Sequence, residues 1–319
     1  KDRSVIYARC AHVTKPEPIH IEQGRGQCQT RNLCQRGCPF GGYFNANSTT
    51  IPWAEKTGNL TLRTHAIVHS VIYDDAKQKA TGVRIIDANT KEISEYFAPV
   101  IFLNAGAINT NLILLNSVSK RFPNGIGNDK GLMGKYFAFH NYRARISAKY
   151  EGMLDSTTEG GRPTGAYIPR FRNLRKQETD FLRGYAVTFN ANRAGSWVNT
   201  EGTAGEPLKD KLMDTSLPLG PWYVGSQFMG ETIPKESNYV NLDKTKKDEW
   251  GMPLINISVA YYDNDEKMIK DFMEQVTEMF TRAGFTDIKA NDSKQAPGLD
   301  IHEMGGVRMG KDPKTSLLN

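Results

Sequence analysis

Apolar and polar positions alternate in a stretch that starts after residue 59. The alternation predicts short β-strands at Leu60–Arg63 and Ile67–Tyr73, followed by a further pair at Ala80–Asp87 and Glu92–Phe97. The next apolar run, Val100–Asn104, is short and continuous, which is typical of a buried strand. This part of the chain is therefore expected to be strand-rich.

The predicted buried strand leads into a glycine turn at Ala105-Gly106 and then into a predicted helix that ends near Leu115. Nucleotide-binding α/β domains use this arrangement to bring main-chain amides near a phosphate or a ring, although it also occurs in a purely structural role. The glycines Gly24 and Gly26 lack the flanking strand and helix of a dinucleotide fingerprint. We expect the phosphate loop of any dinucleotide site to lie outside these 319 residues.

Residues 117–260 contain β-prone stretches separated by turns, which predicts an antiparallel sheet with long excursions. The clearest helix is Asp263–Gly284, with Gly284 as its stop signal. Its apolar residues recur at helical spacing and are expected to be core rather than a cofactor site. They are Met268, Ile269, Phe272, Val276, Met279 and Phe280.

Composition and charge exclude two classes of function. No apolar run approaches the roughly 18–20 residues of a membrane-spanning helix, so an integral membrane protein is not expected. The net charge of +6 is mild and scattered, and the densest basic group, Arg170–Lys176, is interrupted by apolar and amide side chains. Nucleic-acid binding is therefore not expected either.

Three of the four cysteines, Cys28, Cys34 and Cys38, lie within eleven residues. Four cysteines are too few for a disulfide scaffold of this length, and the spacings differ from those of paired zinc ligands. Three thiolates in a glycine-rich loop favour an iron–sulfur cluster, with three irons because no fourth cysteine is near. A zinc site completed by His20 or Cys10, or unligated cysteines, are the alternatives.

The segment His302-Glu-Met-Gly-Gly-Val-Arg-Met-Gly310 resembles the signature of the glucose–methanol–choline (GMC) oxidoreductases, flavoenzymes that oxidise alcohols and sugars. The resemblance extends in order through Asn59–Asn116, Gly131–His140, Gly230–Leu242 and Gly251–Pro253. It implies an α+β or α/β fold: a partial flavin-binding Rossmann-like domain plus a substrate domain built on an antiparallel β-sheet flanked by helices.

The resemblance also implies a division of the chain into four segments. They are a cysteine-loop and pocket segment at 1–58, part of the FAD-binding domain at 59–116, a substrate-binding domain at 117–297, and the start of a C-terminal catalytic segment at 298–319. The chain is expected to be a fragment, because the family's N-terminal glycine loop and the C-terminal segment with a second catalytic Asn or His are missing.

The cysteine spacing narrows the resemblance to one branch. Five residues separate Cys28 from Cys34 and three separate Cys34 from Cys38, as in the three-iron (3Fe–4S) loop of bacterial flavin-dependent sugar and glucoside dehydrogenases. That branch implies a small chaperone-like subunit and a c-type cytochrome as partners. It favours a periplasmic location, with the cytoplasm as the alternative.

The family motif assigns His302 as the catalytic base, and a neutral imidazole is well suited to accept a hydroxyl proton near pH 7. The resemblance places His140 and Asn141 near the wall of the substrate pocket. For Arg308 two roles stay open, namely favouring the anionic reduced flavin or forming a salt bridge with Asp312. The resemblance implies FAD contacts at Val68, Ala105, Gly106, Asn45, Gly305 and Gly306, and metal ligation by Cys28, Cys34 and Cys38.

The predicted function is that of an FAD-dependent dehydrogenase that oxidises a sugar or glycoside hydroxyl to a ketone or lactone. A hydride passes to flavin N5, and electrons leave through the cluster to a cytochrome-type acceptor. Two alternatives stay open: a GMC oxidase that uses oxygen, and a non-catalytic metal-binding or electron-transfer fragment.

Overall fold

The computed structural model describes most of the chain, namely residues 4–31, 34, 37–157, 165–193, 204–213, 219–299 and 301–318. The chain divides into two compact units, which we describe separately. Unit 1 comprises Lys1–Thr61, Tyr142–Gly230 and Lys267–Ser293, and unit 2 comprises Leu62–Asn141, Glu231–Glu266 and Lys294–Asn319.

The elements of the described residues are mostly strands. The strands are β1 (Ile6–Tyr7), β2 (Ala66–Asp74), β3 (Lys79–Asp87), β4 (Ile93–Phe97), β5 (His140–Asn141), β6 (Ala144–Tyr150), β7 (Ala166–Ile168), β8 (Tyr185–Arg193), β9 (Trp222–Glu231), β10 (Tyr239–Lys247), β11 (Pro253–Ser258) and β12 (Thr286–Asp292). The helices are α1 (Pro18–Glu22), α2 (Thr50–Glu55), α3 (Gly106–Leu115), α4 (Glu206–Met213) and α5 (Asp263–Arg282).

Unit 1 is built on an antiparallel sheet with the strand order β1-β7-β8-β9-β6-β12. Its core lies between this sheet and α5, where Phe272 and Val276 pack against Ile146, Tyr185 and Phe228. The apolar stripe of α5 is therefore core, as predicted. The helix ends at Arg282, and Gly284 follows in the left-handed conformation expected of a stop.

Charged side chains also tie the elements of unit 1 together. Arg143 makes a bidentate ion pair with Asp292 at 2.8 and 2.9 Å, next to the β6–β12 ladder. Asp271 on α5 accepts hydrogen bonds from Arg172 and from the hydroxyl of the buried Tyr185. Burial and this carboxylate both raise the pKa of Tyr185, so the phenol stays protonated.

Unit 2 contains the β2-β3-β4 meander and the β10-β11 hairpin, both antiparallel. Helix α3 contacts β2 and β10. The main-chain N–H of Val71 on β2 donates to the Ser117 hydroxyl just beyond α3, at 2.7 Å. Phe137, Phe139 and Val240 form a fully buried cluster beside the helix.

The predicted mixed fold with antiparallel sheets is confirmed, but two predicted strands are wrong. Leu60–Arg63 and Val100–Asn104 form no strand and are largely exposed, with Phe102 at 80% exposure. Neither pairs with a strand of the described residues, and a strand needs such a partner for its N–H and C=O groups. The Rossmann-like part and the four-segment division stay predictions. No described helix has the length and apolarity needed to cross a bilayer.

Candidate functional site

The first candidate site is a pocket in unit 1, the cysteine pocket, whose walls come from three short segments. Main-chain hydrogen bonds join them: Val13 N–H to Gly42 O at 2.7 Å, Cys28 N–H to Val13 O at 2.8 Å, and Phe44 N–H to Ala11 O at 2.9 Å. The side chains that line the pocket are the predicted ligands with one histidine and two aromatic rings. They are Cys28, Cys34, Cys38, His12, Phe40 and Tyr43, and the pocket is also lined by Gln29, Thr30, Arg31, Gly37 and Pro39.

The thiols of this pocket lie in unequal environments. Burial alone would raise the pKa of Cys38, but main-chain N–H groups of Tyr43, Phe40 and Gly42, together with the charge of Arg31, hold that pKa below its ordinary value. Burial raises the pKa of Cys34, and the neighbouring thiols add to the effect. N–H groups aimed at a sulfur are typical of thiolate ligands.

His12 is a residue of this pocket that sequence reasoning missed. Its Nε2 lies 3.2 Å from Cys34 Sγ, which is hydrogen-bond distance, and its ring tilts against Tyr43 with centroids 5.3 Å apart. The predicted zinc partner His20 instead accepts the Glu17 N–H at the start of α1 and is not among the lining residues. No pattern in the sequence marks His12, because it lies 22 residues before Cys34.

The cysteine pocket has the chemistry of a thiolate site without its closed geometry. Three thiols and three N–H donors around one sulfur fit an iron–sulfur cluster. Across the described ranges, however, no group of three or more His, Cys, Asp or Glu side chains is arranged to hold a metal ion. The predicted flavin contact Asn45 lies close by in sequence, where its Oδ1 accepts the Ser48 N–H at 2.9 Å and begins a short 3₁₀ helix.

The second candidate site, in unit 2, is the His302 segment, residues 301–310. Ala138 and Met304 exchange two main-chain hydrogen bonds of 2.9 Å. Two more bonds follow, Gly134 N–H to Gly306 O at 2.8 Å and Gly306 N–H to Lys135 O at 3.1 Å. Residues 134–138, called the 134–138 template below, therefore fix the position of the His302 segment through main-chain hydrogen bonds.

Gly305 and Gly306 are required by this packing. Both have a left-handed φ, of +92° and +74°. A Cβ on Gly305 would lie 2.3 Å from Tyr136 O, and a Cβ on Gly306 would lie 2.2 Å from Asn111 Nδ2. The chain's own atoms occupy these spaces, so the glycines allow close packing inside unit 2 whether or not they also contact a flavin.

The packing brings together two residues that the sequence singled out separately. The rings of His140 and His302 meet edge to face, with centroids 5.1 Å apart and an interplanar angle of 83°. His302 has a φ of +67°, which is uncommon for a residue other than glycine. Asn141, also predicted to contact substrate, is buried.

The start of α3 has the open space that a bound group needs. Gly106 has a φ of +76°, and no described atom beyond its own turn of the chain lies within 4 Å of the Cβ it lacks, in contrast to Gly305 and Gly306. The first N–H groups of a helix have no intrahelical acceptor and attract anionic or acceptor groups. The space beside Gly106 leaves room for the flavin contact predicted at Ala105 and Gly106, which stays a prediction. Val68 lies half-buried on β2, beside a bulge in the β2–β3 pairing.

Arg308, in the His302 segment, contacts a tyrosine ring and a main-chain carbonyl. Its guanidinium carbon lies 3.7 Å from the centroid of the Tyr136 ring, and the group donates to the Thr315 carbonyl. Cation–π stacking and this hydrogen bond hold the side chain against the template of the His302 segment. The predicted place of Arg308 beside the reduced flavin stays a prediction.

Two family models match the chain, and both are described as GMC oxidoreductase. One covers residues 15–140 and the other covers residues 234–319, which includes the His302 segment. The chain is 29% identical to 2-methyl-1,2-propanediol dehydrogenase of Mycolicibacterium austroafricanum over 89% of this chain and 50% of that protein.

Two further relatives act on sugar-type substrates, according to their names. The chain is 25% identical to the fructose dehydrogenase large subunit of Gluconobacter japonicus, over 93% of this chain and 52% of that protein. It is 26% identical to the gluconate 2-dehydrogenase flavoprotein of Pantoea cypripedii, over 92% of this chain and 49% of that protein. The chain thus spans about half the length of these curated relatives.

The unequal thiols generate a prediction for the metal-free protein. Because the thiolate is the nucleophile, Cys38 should be alkylated by iodoacetamide several-fold faster than Cys34 at pH 7, and the midpoint of its rate–pH profile should lie at a lower pH than that of Cys34. Mass spectrometry of the labelled peptides measures both rates. Arg31→Gln should shift the Cys38 profile to higher pH and leave that of Cys34 unchanged. Equal rates for the two cysteines would contradict this account of the pocket.

Proposed function

The chain belongs to the GMC oxidoreductase family, and on that premise we propose that it is part of an FAD-dependent dehydrogenase that oxidises a sugar or glycoside hydroxyl to a ketone or lactone. The observation that carries the proposal is the contact between two histidines. His302 has a left-handed backbone conformation, and its ring meets the ring of His140 edge to face. Both residues lie in regions that the family models match.

The reaction removes two hydrogens from the substrate. The hydroxyl oxygen loses a proton, the adjacent carbon loses a hydride, and a C=O bond forms. His302 accepts the proton, a role for which imidazole is suited near neutral pH. The flavin, when bound, supplies the acceptor for the hydride. His140, whose ring meets that of His302 edge to face, would form part of the substrate wall together with the buried Asn141.

The flavin contacts of the proposal centre on α3 and the His302 segment. Ala105 and Gly106 would hold the nucleotide at the open start of α3, where no described atom beyond that turn of the chain lies within 4 Å of the missing Cβ. The main chain at Gly305 and Gly306 would lie beside the ring system. Val68 and Asn45 complete the proposed set. A Rossmann-like domain, to which β2–β4 and α3 would belong, is part of the same proposal.

The cysteine pocket is the reason to propose the branch of the family whose dehydrogenases carry an iron–sulfur cluster. Cys28, Cys34 and Cys38 would hold a three-iron cluster, supported by the N–H groups around Cys38. When bound, such a cluster supplies a second redox group for transfer to a cytochrome-type acceptor. A small chaperone-like subunit, a c-type cytochrome and a periplasmic location belong to this finer part of the proposal, and an oxygen-using oxidase is its alternative.

Replacing His302 tests the proposed base. In the intact enzyme, His302→Ala should lower kcat for sugar oxidation by roughly 10²–10⁴-fold while bound flavin is retained, because one positioned base contributes about that factor. Steady-state turnover with an artificial acceptor and the flavin absorbance measure the two quantities. His65→Asn, at an exposed histidine of unit 2, is the matched control and should keep full activity. Near wild-type turnover in His302→Ala would remove this residue from the mechanism.

Metal analysis tests the cysteine pocket. The anaerobically purified intact protein should contain about three irons and matching acid-labile sulfide per chain, and Cys34→Ser should lose them. Cys10→Ser is the control and should keep the iron, since Cys10 does not line the pocket. Zinc in place of iron, or no metal, would contradict the cluster, and rapid reaction with oxygen would then favour an oxidase.

A further inference from the structure

Helix α3 carries a buried asparagine at a position where an apolar residue would be expected. Asn111 is 0% exposed, and Ile113 is the other buried residue of the helix. Its Nδ2 donates to Ala107 O at 2.8 Å, one turn back, and to Gly305 O at 3.3 Å. The second bond links α3 to a segment 194 residues away in the sequence.

The orientation of this amide follows from its neighbours. Both groups around Nδ2 are carbonyl oxygens, so the nitrogen must face them, because a flipped amide would place oxygen against oxygen. Within the described part of the chain, the Oδ1 atom then has no hydrogen-bond partner, and it is shielded from solvent. A buried unpaired acceptor lowers stability. The asparagine is therefore poorly explained by stability alone.

Asn111 also interlocks sterically with the His302 segment. The space that a Cβ on Gly306 would occupy is filled by the amide, with Nδ2 at 2.2 Å and Oδ1 at 2.4 Å. On its other side, Gly306 is fixed by hydrogen bonds with Gly134 and Lys135. The turn is thus held between α3 and the 134–138 template, four residues after His302.

We propose that Asn111 is a positioning residue for His302. The amide holds the Gly305–Gly306 turn against α3, and this sets the place of His302 relative to the open start of the same helix at Gly106. The inference rests on the proposed function, since it takes His302 as the base and the start of α3 as a flavin contact. Asn111 would thus link His302 to the start of α3 at a fixed distance.

Hydrogen exchange tests the link without using activity. In Asn111→Ala, the Met304 and Gly306 amides, which bond to Ala138 O and Lys135 O, should exchange about tenfold faster or more than in the wild type. Amides of β2 and β3 should keep their protection. Asn116→Ala is the matched control, because Asn116 ends the same helix and bonds to His69 O instead. Unchanged exchange at Met304 and Gly306 would overturn the proposal.

Kinetics test the positioning role in the intact enzyme. Asn111→Ala should lower kcat by about 10²-fold, the effect of a small displacement of a reacting group, with KM and bound flavin little changed. If Asn111→Ala does not fold, Asn111→Ser replaces it, since serine can bond to its own helix at Ala107 O but does not reach Gly305 O. An unchanged kcat, or a loss equal to that of Asn116→Ala, would show that the role is only structural.

The two proposals fail in different ways. A wild type that binds no flavin and oxidises no sugar would refute the proposed function, and faster exchange at Met304 in Asn111→Ala would still show that Asn111 holds the segment. Normal wild-type activity with kcat unaffected in Asn111→Ala would refute the positioning role alone.

Discussion

The pairing of Ala138 with Met304 is the interaction on which the candidate active site depends. Two main-chain hydrogen bonds of 2.9 Å set the register of the His302 segment on residues 134–138. A shift by one residue would turn alternate side chains to the opposite side, as in any strand pairing. It would also move Gly305 away from Tyr136 O, where only glycine fits. The meeting of His302 with His140 follows from this register.

In both candidate sites, main-chain hydrogen bonds set the properties and the positions of the functional side chains. In the cysteine pocket, main-chain N–H groups lower the pKa of Cys38 in spite of its burial. In unit 2, main-chain bonds to the 134–138 template hold a histidine in a left-handed turn that its side chain does not favour. Glycine at a few positions allows these close approaches, which explains why both sites lie in glycine-rich segments.

Local signals in the sequence predicted much of this structure. The helical spacing in α5, the β2–β4 meander and the His302 motif all depend on residues near each other in the chain. The exposed runs at Leu60–Arg63 and Val100–Asn104 have strand-like patterns, but alternation carries no information about whether a partner strand is present. Contacts between distant residues leave no pattern at all, so His12 beside Cys34 and Asn111 beside Gly305 were visible only in the structure.

The most direct test of the account is anaerobic mixing of the intact enzyme with a panel of sugars and glycosides, followed through the visible absorbance of the flavin. We expect the purified protein to contain bound FAD. At least one of these substrates should bleach the visible absorbance of the flavin and form a matching amount of ketone or lactone. A protein that carries no flavin, or whose flavin stays oxidised with every substrate bearing a hydroxyl group, would contradict the account.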